Sequence, residues 1–255
     1  MQAGLFRFGT DFGNFELDSQ FLPRDEQHAR YTAEKRRVLG AHAGRMSVAA
    51  VTESDHAALE AARQFLIQTA QREGHPDWSG LSFLELGAEL AEDFVVLTRE
   101  DRAVLVHVCF PSGWRPEAVL GRSFVGIHRH VPAFGAVLGK ASALVEAMLS
   151  RGPYVRFVWT ISADDQLDHH PDEGGRAAWT DDTPRGFLRV ERQITVPLSA
   201  GAASLFLIRT YLYEFRELTL AQRATLASAL SQMPPEVAAY KQLTGAIPRA
   251  LSLLK

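Results

Sequence analysis

Three arginines in this sequence fall where the alternation of a β-strand surrounds them with apolar neighbours. In FLRVERQITV a period of two puts Arg192 on the side of Leu188, Val190, Ile194 and Val196. In SLFLIRTYLY it puts Arg209 with Leu205, Leu207 and Tyr211, and in YVRFVWTIS it puts Arg156 with Tyr154 and Val158. A guanidinium removed from water needs an anionic or multiply accepting partner, because an uncompensated buried charge is costly. Carboxylates such as Glu191 and Glu214 answer these charges, or the side chains reach past their neighbours to water. The functional alternative is that Arg192 and Arg209 clamp the carboxylates of a ligand bidentately.

GIHRHVP brings His128 and His130 to the end of an apolar stretch, just before Pro132. They read as two ligands of one metal, as one ligand of a haem, or as a hydrogen-bonded core histidine with an exposed neighbour. His169 and His170 lie in an acidic loop and read as solvated, since a metal site needs a third donor at a defined spacing. His107, between two valines, reads as a cross-strand or rim residue. Glu92 and Asp93 offer two carboxylates at a helix-to-strand junction, where a capped and solvated pair is expected over acid–base work. Trp114 and Trp159 are apolar surfaces that can line a pocket. Cys109 reads as core, with nothing basic beside it in sequence to activate the thiol.

Positioning these residues calls for a sheet. After an N-terminal helix over residues 25–36, an amphipathic helix over 54–73 and a shorter one over 82–91, the apolar pattern switches to period two. Residues 93–98 and 103–110 then read as an antiparallel hairpin, 123–128 as a candidate strand, and 132–149 as a helix closed by Gly152 and Pro153. Strands follow over 154–162, 187–196 and 204–213, with an exposed acidic loop over 164–182, and the chain from Leu218 onward is helical. Without regular βα alternation this predicts one α+β domain over residues 1–255, with a mainly antiparallel sheet. Helices pack on it, and helical extensions cover about 1–91 and 218–255.

At 255 residues with 46% hydrophobic and 22% charged residues, the chain has enough apolar material for a large core. A net charge of −3 with no basic stripe argues against nucleic acid as a partner. The single cysteine excludes an internal disulfide framework and any multi-cysteine metal site, and fits a reducing cytoplasm. No apolar run is long enough for a membrane span, and the N-terminus lacks the basic region and apolar core of a secretory leader. GxGxxG, P-loop and GxSxG motifs are missing, so nucleotide-fold and nucleophile-elbow chemistries lose their usual signatures.

The blocks EDFVVL, VCFPSGW, GRSFVGIHRHVP, RVERQITVPL, LFLIRTYLY and MPPEVAAYKQL together resemble the haem-dependent oxidative N-demethylase family, over residues 12–240. That resemblance implies a PAS-like α+β domain carrying haem b, with His128 as the axial iron ligand. His130 stands where the family has a proline and is the alternative ligand. It further implies oxidation of a small secondary amine by O2 at the iron. Electrons would come from a separate flavin and iron–sulfur reductase subunit, since one cysteine cannot build a cluster. Arg192 and Arg209 are then expected at the haem propionates, with Trp114 and Tyr211 lining the cofactor. Glu191 is expected to hold the substrate cation, although regular alternation turns it away from Arg192. The alternative is a non-catalytic PAS-like domain that binds haem or another small ligand, and a homo-oligomer is compatible with either.

Overall fold

The structure is a computed structural model, and it describes residues 6–8, 20–49, 51–132 and 139–255. Seven segments pair antiparallel into one sheet: β1 (Phe6–Arg7), β2 (Ser47–Ala49), β3 (Asp93–Thr98), β4 (Ala103–His107), β5 (Tyr154–Ser162), β6 (Phe187–Leu198) and β7 (Ala203–Glu214). Their order is β1-β5-β6-β7-β3-β4-β2. The hairpin β3–β4 precedes the meander β5–β6–β7 in the chain, and the meander returns its last strand beside β3. The α+β class and the antiparallel sheet are as the alternation predicts.

Eight helices lie among the described residues: α1 (His28–Met46), α2 (His56–Arg72), α3 (Phe83–Glu89), α4 (Phe124–His128), α5 (Ala141–Ser150), α6 (Leu220–Ser231), α7 (Pro235–Tyr240) and α8 (Ile247–Leu253). Their starts follow from local chemistry. Ser82 and Thr219 cap α3 and α6, each in a reciprocal box with the residue three further on, Glu85 and Gln222. None of the described helices is long and apolar enough to cross a membrane.

Alternation gives the sheet two different faces. On the first, Phe94, Val96, Ile194, Val196, Leu205 and Leu207 pack under Ala62 and Leu66 of α2. Further along that face Ile161 and Leu188 meet Leu226 and Leu230 of α6. On the second, Val95, Leu97, Val106 and Phe206 pack against Phe124 of α4 and Met148 of α5. Both faces keep half-buried positions: Phe157, Trp159, Val190 and Tyr211 on the first, and Arg156, Val158, Glu191, Phe206 and Leu212 on the second.

Several expectations are corrected. Residues 123–128 are not a strand: Ser123 Oγ accepts from the Gly126 amide at 3.1 Å and caps the short helix α4. A six-residue apolar run fits either period, and the cap decides it. Of the helix expected over 132–149, residues 133–138 lie outside the described residues, and α5 covers its end. The acidic loop is not simply exposed either, because His169 and His170 are both fully buried.

α3 approaches β4 closely at Gly87, where a Cβ would overlap the His107 ring. Gly87→Ala is therefore expected to lose about 1–3 kcal/mol through overpacking, measured as a lower urea midpoint at unchanged slope.

Candidate functional site

His128 ends α4, and its imidazole rests against the Phe124 ring at 4.2 Å between centroids. Its Nδ1 lies 2.9 Å from the Phe124 carbonyl oxygen. A carbonyl only accepts, so Nδ1 carries the proton and Nε2 keeps the lone pair. Burial lowers the pKa of the ring; the Phe124 bond opposes this and the Arg156 charge adds to it. The imidazole is therefore neutral at pH 7. His130 is exposed, and its Nε2 accepts from Arg129 Nε at 3.0 Å.

On the same face a polar chain crosses β5 and β6. Arg156 Nε donates to Gln193 Oε1 at 2.7 Å, and Gln193 Nε2 donates to Glu191 Oε2 at 2.9 Å. Arg189 Nε stands 3.9 Å from Glu191 Oε1. Glu191 does turn away from Arg192, and the side it turns to is the His128 side. Arg189 itself is 1% exposed and donates to the carbonyls of Leu167 at 2.9 Å and Phe110 at 2.6 Å, fastening two loops to this face. Arg176 donates to Ser112 and to the Lys241 carbonyl. Burial lowers the pKa of Arg156, Arg176 and Lys241, and for each the Glu191 carboxylate pulls it back up. Trp114 borders the apolar cluster that holds Phe124 and Phe206.

Arg192 and Arg209 are not part of this constellation. They sit directly opposite each other on β6 and β7, on the first face, and both are 1% exposed. Asp25 takes Arg209 Nη2 in a bidentate pair at 2.7 and 2.8 Å, and Glu92 stands 3.4 Å from Nη1. Tyr211 lies beside it, 5.5 Å from ring centroid to guanidinium. Arg192 donates to the Gln20 carbonyl at 2.7 Å and stacks over Phe8. The expectation placed these arginines in one site with His128; the structure places them on the face of the sheet opposite Arg156, whose charge the His128 ring feels.

Other candidates prove structural. Glu92 and Asp93 are 2% and 1% exposed rather than solvated. Asp93 binds the buried Lys35 ammonium at 2.9 Å and the amides of Cys109 and Phe110. Burial pushes the Glu92 carboxyl up against the opposing pull of Arg209 and Lys35. Cys109 is core, and burial pushes its thiol up. His107 stacks on its cross-strand partner Phe94 at 4.8 Å. Donor atoms of Asp93, His107 and Cys109 do lie within 4.8 Å of one another, but Lys35 already supplies the cation there. Glu117, His170 and Asp172 form a second such group, with Arg115 on Asp172. His169 is held by Asp164 at 2.8 Å. A cavity of about 200 Å³ lined by Arg176, Trp179 and Gln242 includes none of His128, Arg156 and Glu191.

Residues 76–249 match the protein family described as haem-dependent oxidative N-demethylase, alpha subunit-like. The chain belongs to that family. A search of the curated proteins finds no match. The family description implies haem dependence, and its alpha-subunit wording implies a partner subunit. The matched range contains α4, the second-face chain of Arg156, Gln193 and Glu191, and both first-face arginines. It excludes Asp25 and Lys35, two of the counter-charges that bury Arg209 and Asp93. Sequence reading missed Arg189, although its place opposite Arg192 in the alternation was the available signal. It missed Lys35 altogether, because a lysine on an amphipathic helix reads as solvent-facing.

Proposed function

We propose that the second face of the sheet is a haem pocket with His128 as the axial ligand. On this reading the chain is the haem-bearing subunit of an O2-dependent oxidative N-demethylase for a small secondary amine. The observation that carries it is the His128 Nδ1–H bond to the Phe124 carbonyl. A metal-ligating histidine characteristically donates its second ring nitrogen to a carbonyl or carboxylate, which orients the ring and raises its basicity. His130, exposed and already accepting from Arg129, is the weaker candidate. The fit to haem b rests on three further features. The ring is neutral, as ligation requires; half-buried Val158 and Phe206 with Trp114 offer apolar wall; and Arg156 supplies a cation beside it.

We read the fold as PAS-like and as one domain, because the hairpin β3–β4, a helical crossover bearing α4 and α5, and the meander β5–β6–β7 enclose this face. When bound, the haem iron supplies the oxidising chemistry for the N-alkyl group. The chain's own residues do the rest. His128 would hold the iron from Nε2, and the apolar wall would exclude water. Glu191, hydrogen-bonded by the Gln193 amide, holds the ammonium form of the amine. Electrons come from a separate flavin and iron–sulfur reductase in a reducing cytoplasm, since one cysteine builds no cluster here.

The test is a visible absorption spectrum of protein expressed with haem precursor. His128→Ala is expected to abolish or shift the Soret band, with added imidazole restoring it, and His130→Ala to leave it unchanged. An unaltered band in His128→Ala removes the axial assignment. Formaldehyde release from dimethylamine with a supplied reductase then separates turnover from simple haem binding.

A further inference from the structure

We infer that Arg156 is the residue that takes a carboxylate of the bound ligand, the place that sequence reading gave to Arg192 and Arg209. The inference rests on the haem reading above for the position of the pocket. Its own basis is geometric. Arg156 is half-buried as the third residue of β5, and its one hydrogen bond among the described residues runs from Nε to Gln193 Oε1. No carboxylate among the described residues stands within ion-pair distance of it. Glu191, the nearest acid in the polar chain, is instead engaged by Gln193 and faced by Arg189.

The charge balance of this face points the same way. Arg156, Arg176, Arg189 and Lys241 all feel the single Glu191 carboxylate. Of the other acids, Asp164, near Arg176 and Arg189, is taken by His169 at 2.8 Å, and Asp93, which also acts on Arg189, by Lys35 at 2.9 Å. Arg176 spends both terminal nitrogens on backbone and Ser112, and Arg189 spends its own on two carbonyls and Thr210. Lys241 Nζ is committed to the Trp159 carbonyl at 2.6 Å. Arg156 alone among the four directs its terminal nitrogens to no protein acceptor described here. A surplus of partly desolvated cations is stable when an anion completes it, and a planar fork selects a carboxylate. Two sources supply that chemistry: a haem propionate, or a carboxylate carried by the amine substrate.

The probes are protoporphyrin IX, which has propionates and no iron, and its dimethyl ester, which has neither. Binding to apo-protein is read from quenching of tryptophan fluorescence, in wild type, Arg156→Ala and Arg156→Gln. Both variants are expected to bind protoporphyrin roughly ten- to a hundredfold more weakly and the ester unchanged, the size of one charged hydrogen-bonded contact. In a second arm, haem-loaded protein is titrated with N-methylglycine and with dimethylamine by the Soret shift. Weakening of N-methylglycine alone assigns the contact to substrate instead. If the variants weaken neither ligand, or the wild type binds no porphyrin, the inference is overturned. His128→Ala separates the two ideas, because it should weaken haem and leave protoporphyrin untouched. If haem is unaffected there while Arg156→Ala weakens protoporphyrin, the axial assignment fails and the carboxylate contact stands.

Discussion

Asp93→Ala is expected to cost about 3–5 kcal/mol of folding stability, the loss typical of breaking a buried ion pair from one side. The carboxylate is 1% exposed and answers three donors at once: Lys35 Nζ at 2.9 Å, the Cys109 amide at 3.0 Å and the Phe110 amide at 2.9 Å. Truncation leaves a fully buried ammonium with only the carbonyls of Gly87 and Glu92, and two amides with no acceptor. Lys35→Met should cost less, since Asp93 keeps both backbone donors. Adding Lys35→Met to Asp93→Ala should recover part of the loss by removing the stranded cation. Urea unfolding of the three variants at constant slope measures this. A loss under about 1 kcal/mol in Asp93→Ala would mean that water reaches Lys35, contrary to its burial.

This pair also shows where sequence reading runs out. The strands were legible because alternation over five or more residues is a strong local signal, and β5, β6 and β7 fall within two residues of their expected ends. The burial of Arg192 and Arg209 was legible for the same reason, as was the turning of Glu191 to the other face. Which charge meets which was not. Arg209 pairs with Asp25 and Glu92, at separations of 184 and 117 residues, and Lys35 meets Asp93 across two helices. Partners that distant leave no trace in local periodicity. The acidic loop misled for a related reason: its composition reads as solvated, yet Arg189 draws the Leu167 carbonyl down and buries His169 and His170 with it. Residues 123–128 turned on a single serine cap. The histidine pair stayed ambiguous in sequence because both lie at one helix end, where only their hydrogen bonds distinguish them.

The two facing arginines of the first face are expected to respond to the same substitution in opposite ways. Arg209→Met strands the buried Glu92 carboxylate and releases Asp25, so a loss of about 3–5 kcal/mol is expected. Arg192 has the Gln20 carbonyl, the Phe8 ring and the more distant Glu92 carboxylate for company, while its Nε and Nη1 are buried without a described hydrogen-bond partner. Its neighbour across the strands is another cation. Arg192→Met keeps most of the side-chain volume, removes two unsatisfied donors and relieves like-charge repulsion, so stability should be unchanged or rise by about 1–2 kcal/mol. Neither change should alter porphyrin affinity, because the sheet separates both arginines from His128. A destabilised Arg192→Met with weakened porphyrin binding would mean that an anionic ligand reaches the first face, and would restore the clamp that strand alternation alone suggested. Stability and affinity, measured on the same two proteins, therefore decide which face of the sheet the ligand's carboxylates occupy.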